Sequence, residues 1–238
     1  MDTKDLPQRP EAEFEDQSRE AAKIAISAIP VVGGAGAALV EAVFKSPLEQ
    51  RKNRWLDSLA DAIRELQDKV EELDFERLRD DETFVTVATQ ASQIALRNHQ
   101  QEKLDALRNA VLNSRLPNSP GEDTQLIFLE LIDRLTPSHM RILALLDDPQ
   151  SHTEEREISY ESLSNGSVRK LIEDVFPELA GQRDFYNQLV RDLNTAGLSG
   201  VGDVGVNIFG PSMLDRRTTE WGQLFIQFIS EPPELRKD

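Results

Sequence analysis

Apolar residues recur at helical intervals along most of this chain. Trp55, Leu59, Ile63, Leu66, Val70 and Leu73 are spaced by four, four, three, four and three residues, one continuous stripe on an otherwise charged helix. Ser46-Pro47-Leu48-Glu49 opens that helix with a capping serine, a proline at the first helical position and a glutamate three residues after the cap. Over 47–73 such a helix runs about 40 Å at the standard rise. A second stripe (Phe84, Val87, Ala88, Ala91, Ile94, Ala95) resumes at Leu104, Leu107 and Val111 after the polar interruption Asn98-His99-Gln100-Gln101. One long helix or two shorter ones fit this pattern. Asp80-Asp81-Glu82 puts negative charge at its start, where the helix macrodipole favours it.

Pro117-Asn118-Ser119-Pro120-Gly121 is the clearest linker pattern. Beyond it, TQLIFLELIDRL predicts an apolar helix to near Leu135, and Thr136-Pro137 starts another, SHMRILALLDD. Residues 148–165 read as an exposed loop. SVRKLIEDVF and DFYNQLVRDLNTAG predict two further helices, the second closed by Gly197 with Leu198 as its apolar clamp. Segments 204–209 and 213–217 predict a hairpin of two short strands around Gly210-Pro211, after which Thr218 or Thr219 caps a last helix, EWGQLFIQFI.

One segment departs from these stripes. Residues 24–40 carry no charge over 17 positions. Ile24, Ile26, Ile29, Val31, Val32, Leu39 and Val40 supply its bulk, and Gly33, Gly34, Gly36 and Ala37 its small positions. Pro30 disfavours a helical Ile29, which predicts a helical hairpin or one kinked helix. Gly33 and Ala37 are four apart, as are Gly34 and Ala38, the spacing that lets helix backbones approach closely in membranes. Seventeen residues stands at the bottom of the spanning range, and Ala and Gly contribute little transfer energy. Two readings stay open: a hairpin buried in a soluble bundle, and a membrane or oligomer contact.

Charge narrows the partners. The chain has 43 acidic against 27 basic residues, a formal net charge of −16. Residues 1–121 carry 16 basic and 22 acidic side chains and residues 122–238 carry 11 and 21, so neither half is basic. Such a surface repels phosphate backbones and anionic headgroups, which argues against nucleic acid and leaves a protein partner or self-association. There is no cysteine, which excludes disulfides and thiolate metal sites. The opening MDTKDLPQRPEAEFEDQSRE is acidic with no basic region leading into the apolar stretch, so a cytoplasmic protein is expected, inner-membrane associated if 24–40 inserts. His99, His139 and His152 are isolated, and His139 on its apolar helix is expected to pack or cap. No catalytic residue, cofactor, metal or small-molecule substrate is indicated.

From Pro137 onward the succession helix, loop, helix, helix ending in Ala196-Gly197-Leu198, hairpin, helix resembles a winged-helix domain. It departs from that pattern in Thr-Glu-Trp-Gly, where Leu-Thr-x-x-Gly is usual. The third helix and wing then offer Arg183, Arg191, Arg216 and Arg217 as a candidate partner surface, with Asp184 and Asp192 beside the first two. LIFLELIDRLTPSHMRILALLDD, with LVRDLNTAGL and TTEWG, also resembles the C-terminal part of bacterial proteins grouped as the abortive-infection alpha family. The pattern AIPVVGG…SPLEQRKNRWLDSLADAI is similar to bacterial proteins of no assigned activity. The resemblance implies phage defence by growth arrest or membrane damage and carries over no catalytic residue.

The expected fold is therefore mainly α. A flexible tail (1–17) precedes an N-terminal helical bundle (18–116) around the Gly/Ala-rich hairpin. A linker (117–121) joins it to a C-terminal winged-helix-like domain with a β-hairpin (122–238). The expected function is a non-enzymatic effector acting through the hairpin, or a soluble interaction scaffold.

Overall fold

The computed structural model describes residues 46–70, 78–159 and 165–236. The architecture is mainly α. Among these residues the helices are α1 (Ser46–Lys69), α2 (Glu82–Arg97), α3 (Gln101–Asn113), α4 (Glu122–Arg134), α5 (Pro137–Asp147), α6 (Pro149–Glu155), α7 (Val168–Val175), α8 (Arg183–Thr195) and α9 (Glu220–Ile229). Two short strands, β1 (Asn165–Ser167) and β2 (Asn207–Phe209), pair antiparallel with Gly166 opposite Ile208. No helix among the described residues is long and apolar enough to cross a membrane. The tail 1–17 and the segment 24–40 lie outside the described residues.

The chain divides into two compact units, Met1–Arg54 and Trp55–Asp238. The described part of the first is the opening of α1, where Arg54 Nε donates to the Gln50 carbonyl at 3.3 Å. The second unit holds the other elements. In it the described part of the α1 stripe is realised as the spacing predicts, Trp55, Leu59 and Leu66 being buried and Ile63 and Val70 half-buried, while Leu73 lies outside the described residues. The Trp55 indole N–H donates to Ser92 Oγ at 2.8 Å, so its polar end is satisfied inside the core.

The interrupted second stripe is two helices. Asn98 leaves the helical region with ψ 150°, and its side-chain amide donates back to the Ile94 carbonyl at 2.8 Å, closing α2. At the other end of α2, Asp81 accepts the Phe84 N–H at 2.9 Å and pairs with Arg115. Segment 117–121, expected as a linker, is a turn inside the second unit. Gln125, 1 % exposed, fastens it by donating to the Ser114 and Pro120 carbonyls at 3.1 and 2.7 Å. The division of the chain falls instead within α1.

The last helix closes this unit. Helix ends leave four carbonyls without intrahelical donors. At the end of α9 they are met by two α3 side chains one turn apart. Asn109 donates to Ile229, and Asn113 reaches the carbonyls of Phe228 and Ser230 at 2.9 and 2.8 Å. Beside this seam, Phe128 of α4 contacts Trp221, Phe225 and Phe228 of α9 with ring centroids 4.6, 5.2 and 5.7 Å apart. Tilted and edge-on rings at such distances add to the burial energy of the aromatic surface. At the start of α9, Gly222 is required: a Cβ there would collide with the Leu198 carbonyl.

Two expectations are corrected. Residues 148–165 are not one exposed loop, because Asp148 accepts the Ser151 N–H at 3.1 Å and Pro149 starts α6, while β1 follows at Asn165. Segments 204–209 and 213–217 do not form a hairpin. Gly210 turns the chain with φ 68°, and 210–214 tightens into a 3-10 turn that buries Met213. The partner of β2 is therefore β1, and Thr218 instead bridges Ser199.

Asn113→Ala removes the donor of several α9 carbonyls and should lower stability by about 1–3 kcal/mol. Asn113→Asp should cost more, since it sets a carboxylate against those oxygens. Urea unfolding midpoints of the two variants check the order; equal losses would contradict it.

Candidate functional site

α8 is amphipathic by its sequence. Tyr186, Leu189, Val190 and Leu193 fall on one face and are buried, leaving Arg183, Asp184, Phe185, Gln188, Arg191 and Thr195 exposed. Gly197 ends the helix with φ 74°. Its N–H bonds the Asn194 carbonyl and the Leu198 N–H bonds that of Leu193, each at 2.9 Å, with Leu198 buried as the clamp. The chain then enters α9 through Thr219, whose Oγ1 accepts the Gly222 N–H at 2.9 Å and donates to the Gly197 carbonyl.

The orientation of α8 is fixed from both sides. The Tyr186 hydroxyl donates to Glu173 Oε1 of α7 at 2.8 Å. Burial, and then the Glu173 carboxylate, push that phenol above its ordinary value. On the α5 side, Asp192 Oδ2 lies 3.4 Å from His139 Nε2. His139, 6 % exposed, belongs to the start of α5: its Nδ1 accepts the Thr136 N–H at 3.1 Å. That bond fixes the tautomer, with the proton on Nε2 facing Asp192. The ring caps and packs, which is the role expected from the sequence.

The four arginines of the expected partner surface divide into two pairs. Arg183 and Arg191 stand on the outer face of α8, with Arg191 Nη1 on Gln188 Oε1 at 3.0 Å and Gln188 Nε2 on Asp192 Oδ1 at 2.8 Å. Arg216 and Arg217 are structural. Arg216 Nε donates to the Asp147 carbonyl at 3.0 Å, lies 3.1 Å from the Asp147 carboxylate, and bonds Gln223 through Nη1. Arg217 is half-buried, its guanidinium on the carbonyls of Asp215 and Ser212 and its N–H on that of Leu146. Burial pulls its pKa below the ordinary arginine value, with Asp215 opposing. These two tie the approach to α9 onto the end of α5.

Phe185, 45 % exposed at the start of α8, is the residue the sequence does not single out. It stands four positions before buried Leu189, in register with the apolar stripe, so spacing alone assigns it to the core. A second feature without a sequence signature is an open groove of about 460 Å³ between α2 and α4. Thr89, Gln93 and Ile94 line it, and Arg97 and Asp133 pair across one end at 3.0 Å. Below that pair Lys103 is buried, its Nζ donating to the Asp133 carbonyl at 2.7 Å; burial depresses its pKa against the pull of the Asp133 carboxylate. No group of three or more His, Asp or Glu able to hold a metal ion occurs among the described residues.

His139 carries a pH signature. Burial holds its pKa below the ordinary 6.5, with Asp192 opposing and Arg134 and Lys103 reinforcing. The unfolded chain therefore takes up this proton first as pH falls. The contribution of neutral His139 is fully present above pH 6.5 and is lost between that value and the lower folded one. His139→Gln should flatten the fall in urea midpoint as pH drops below 6.5. A slope unchanged from the parent would contradict this.

Compared with known proteins, the chain matches no family model, no curated protein and no solved structure.

Proposed function

We propose that this chain is a non-enzymatic bacterial interaction protein whose C-terminal part is a winged-helix-like module that docks protein through the outer face of α8. The order α5, β1, α7, α8, β2, α9 supports the module, with α7 and α8 as its helix-turn-helix pair and the Ser199–Thr218 bridge at the base of the wing. The preceding helices, α1 to α4, form its bundle.

The observation that carries the docking reading is Phe185. A large ring left exposed between Arg183 and Gln188, on a helix held rigidly by Tyr186 and Asp192, has the composition of an interface anchor. The same face speaks against reading DNA. Arg183 and Arg191 are balanced by Asp184 and Asp192, and Arg216 and Arg217 are committed to backbone carbonyls of the fold.

A second reading rests on the 17 uncharged residues 24–40: the protein is a defence effector of cytoplasmic residence whose Gly/Ala-rich segment enters the inner membrane or assembles oligomers once the C-terminal module is engaged. Liposome flotation with dye release, compared between the full chain and a deletion of 24–40, tests this action separately from docking. Leakage lost on deletion supports it; leakage equal in both contradicts it.

For the docking reading, Phe185→Asp should weaken capture of a bacterial partner, or self-association, by about thirtyfold, the loss of one aromatic anchor of about 2 kcal/mol. Its melting temperature should stay within a few degrees of the parent. Pull-down and sedimentation with both proteins read this, and association unaffected by the substitution would reject α8 as the docking face.

A further inference from the structure

Close to the start of α7 lies a cation that has no ion pair among the described residues. Arg169 is the second residue of that helix and is half-buried. Its backbone N–H donates to the Val204 carbonyl at 2.8 Å, which brings the turn 203–206 against the helix start. The turn holds itself: Asp203 Oδ1 accepts the Gly205 N–H at 2.7 Å, and the Val206 N–H bonds the Asp203 carbonyl at 3.2 Å. Gly205 leaves room for the guanidinium, since a Cβ there would stand 2.5 Å from Arg169 Nη2 and 3.3 Å from Cζ.

The guanidinium is thus packed against the backbone of Gly205. Its Nε is buried without a hydrogen-bond partner among the described residues. Two carboxylates stand near and keep their negative charge: Asp203, which accepts the Gly205 N–H, and Glu173, one helical turn along α7, which accepts the Tyr186 hydroxyl. Of the guanidinium nitrogens Nε alone is fully buried, so the Nη groups are the ones an incoming anion can reach, and bonds from them to it are charge-assisted. Beside it Val206 is 57 % exposed, the most exposed large apolar residue described.

On the reading that this module docks protein, we infer that the Arg169 guanidinium beside Val206 is the receptor for one carboxylate side chain of the partner, an Asp or Glu flanked by an apolar residue that covers Val206. The outer Nη groups donate to the carboxylate, and the valine supplies the apolar contact. A monoanion fits better than phosphate or a nucleic-acid backbone. Asp203 and Glu173 border the site, and the net charge of −16 opposes each further negative charge.

The test uses the full chain and the peptide acetyl-Leu-Glu-Leu-amide, followed through the Arg169 side-chain Nε–H and Val206 amide resonances. Both should move saturably, and the Gln counterpart of the peptide should bind roughly tenfold more weakly, as expected when a charge-assisted bond is lost. Arg169→Gln should abolish the response. Val206→Asp, at an exposed position that does not threaten the fold, should suppress it by supplying a carboxylate from the chain itself. Phe185→Asp should leave it unchanged, so failure of the α8 face and failure of this receptor are read apart. No movement, equal movement with the Gln peptide, persistence in both Arg169→Gln and Val206→Asp, or a larger response to inorganic phosphate would each overturn the assignment.

Discussion

The second unit is closed by two asparagine side chains of α3 that take up the terminal carbonyls of α9. The bonded residues Asn113 and Phe228 are 115 positions apart, so this one contact loops the whole intervening chain, α4 to α8, back onto the early helices. A buried helix end without donors is costly, and no glycine follows this one to cap it locally. The Phe128 cluster then supplies apolar area on the adjoining face of α9, and Gly222 lets the start of α9 lie directly on the backbone of Leu198. Because α9 is held by α3 and α4 as well as by the approach from α8, the helices before and after 117–121 share one core.

That closure settles which polar groups are left to act outward. Arg216 and Arg217 hold the approach to α9 on the end of α5, His139 caps α5, and Lys103 caps the end of α4. Each would pass for a functional residue by type alone. Two places on the proposed C-terminal module pair an exposed large apolar residue with a neighbouring cation: the mixed-charge face of α8 with Phe185, and the turn 203–206, where Val206 stands beside half-buried Arg169. Neither is a strongly charged patch, which is why the docking proposed for them is to protein.

How much of this was legible depended on the range of the interaction. Features with a period or a local bond were readable: the α1 stripe through Trp55 and Leu66, the Gly197–Leu198 cap, and Thr219 before α9. Features made by distant backbone were not. Nothing around Asn109 and Asn113 announces that their amides meet α9, and nothing around Arg216 distinguishes a tether from a docking cation. The hairpin expected at 204–217 failed for a related reason. Both segments have strand-like composition, but Met213 is drawn into the core and β2 finds its partner some forty residues earlier in the chain. In the site, Phe185 was hidden by being in phase with the buried stripe, and Arg169 by having no neighbour in sequence that shows its guanidinium lacks an acceptor.

The central structural claim is that α9 and α3 open together, since the carbonyls of one are held by the amides of the other. Native-state hydrogen exchange in rising urea measures this directly. The slowest amides of α3, α4 and α9 should converge on one opening free energy and one urea dependence, that of global unfolding. If the α9 amides exchange through a smaller opening while α3 stays protected, the last helix is a separable flap and the Asn109 and Asn113 contacts do not close the unit.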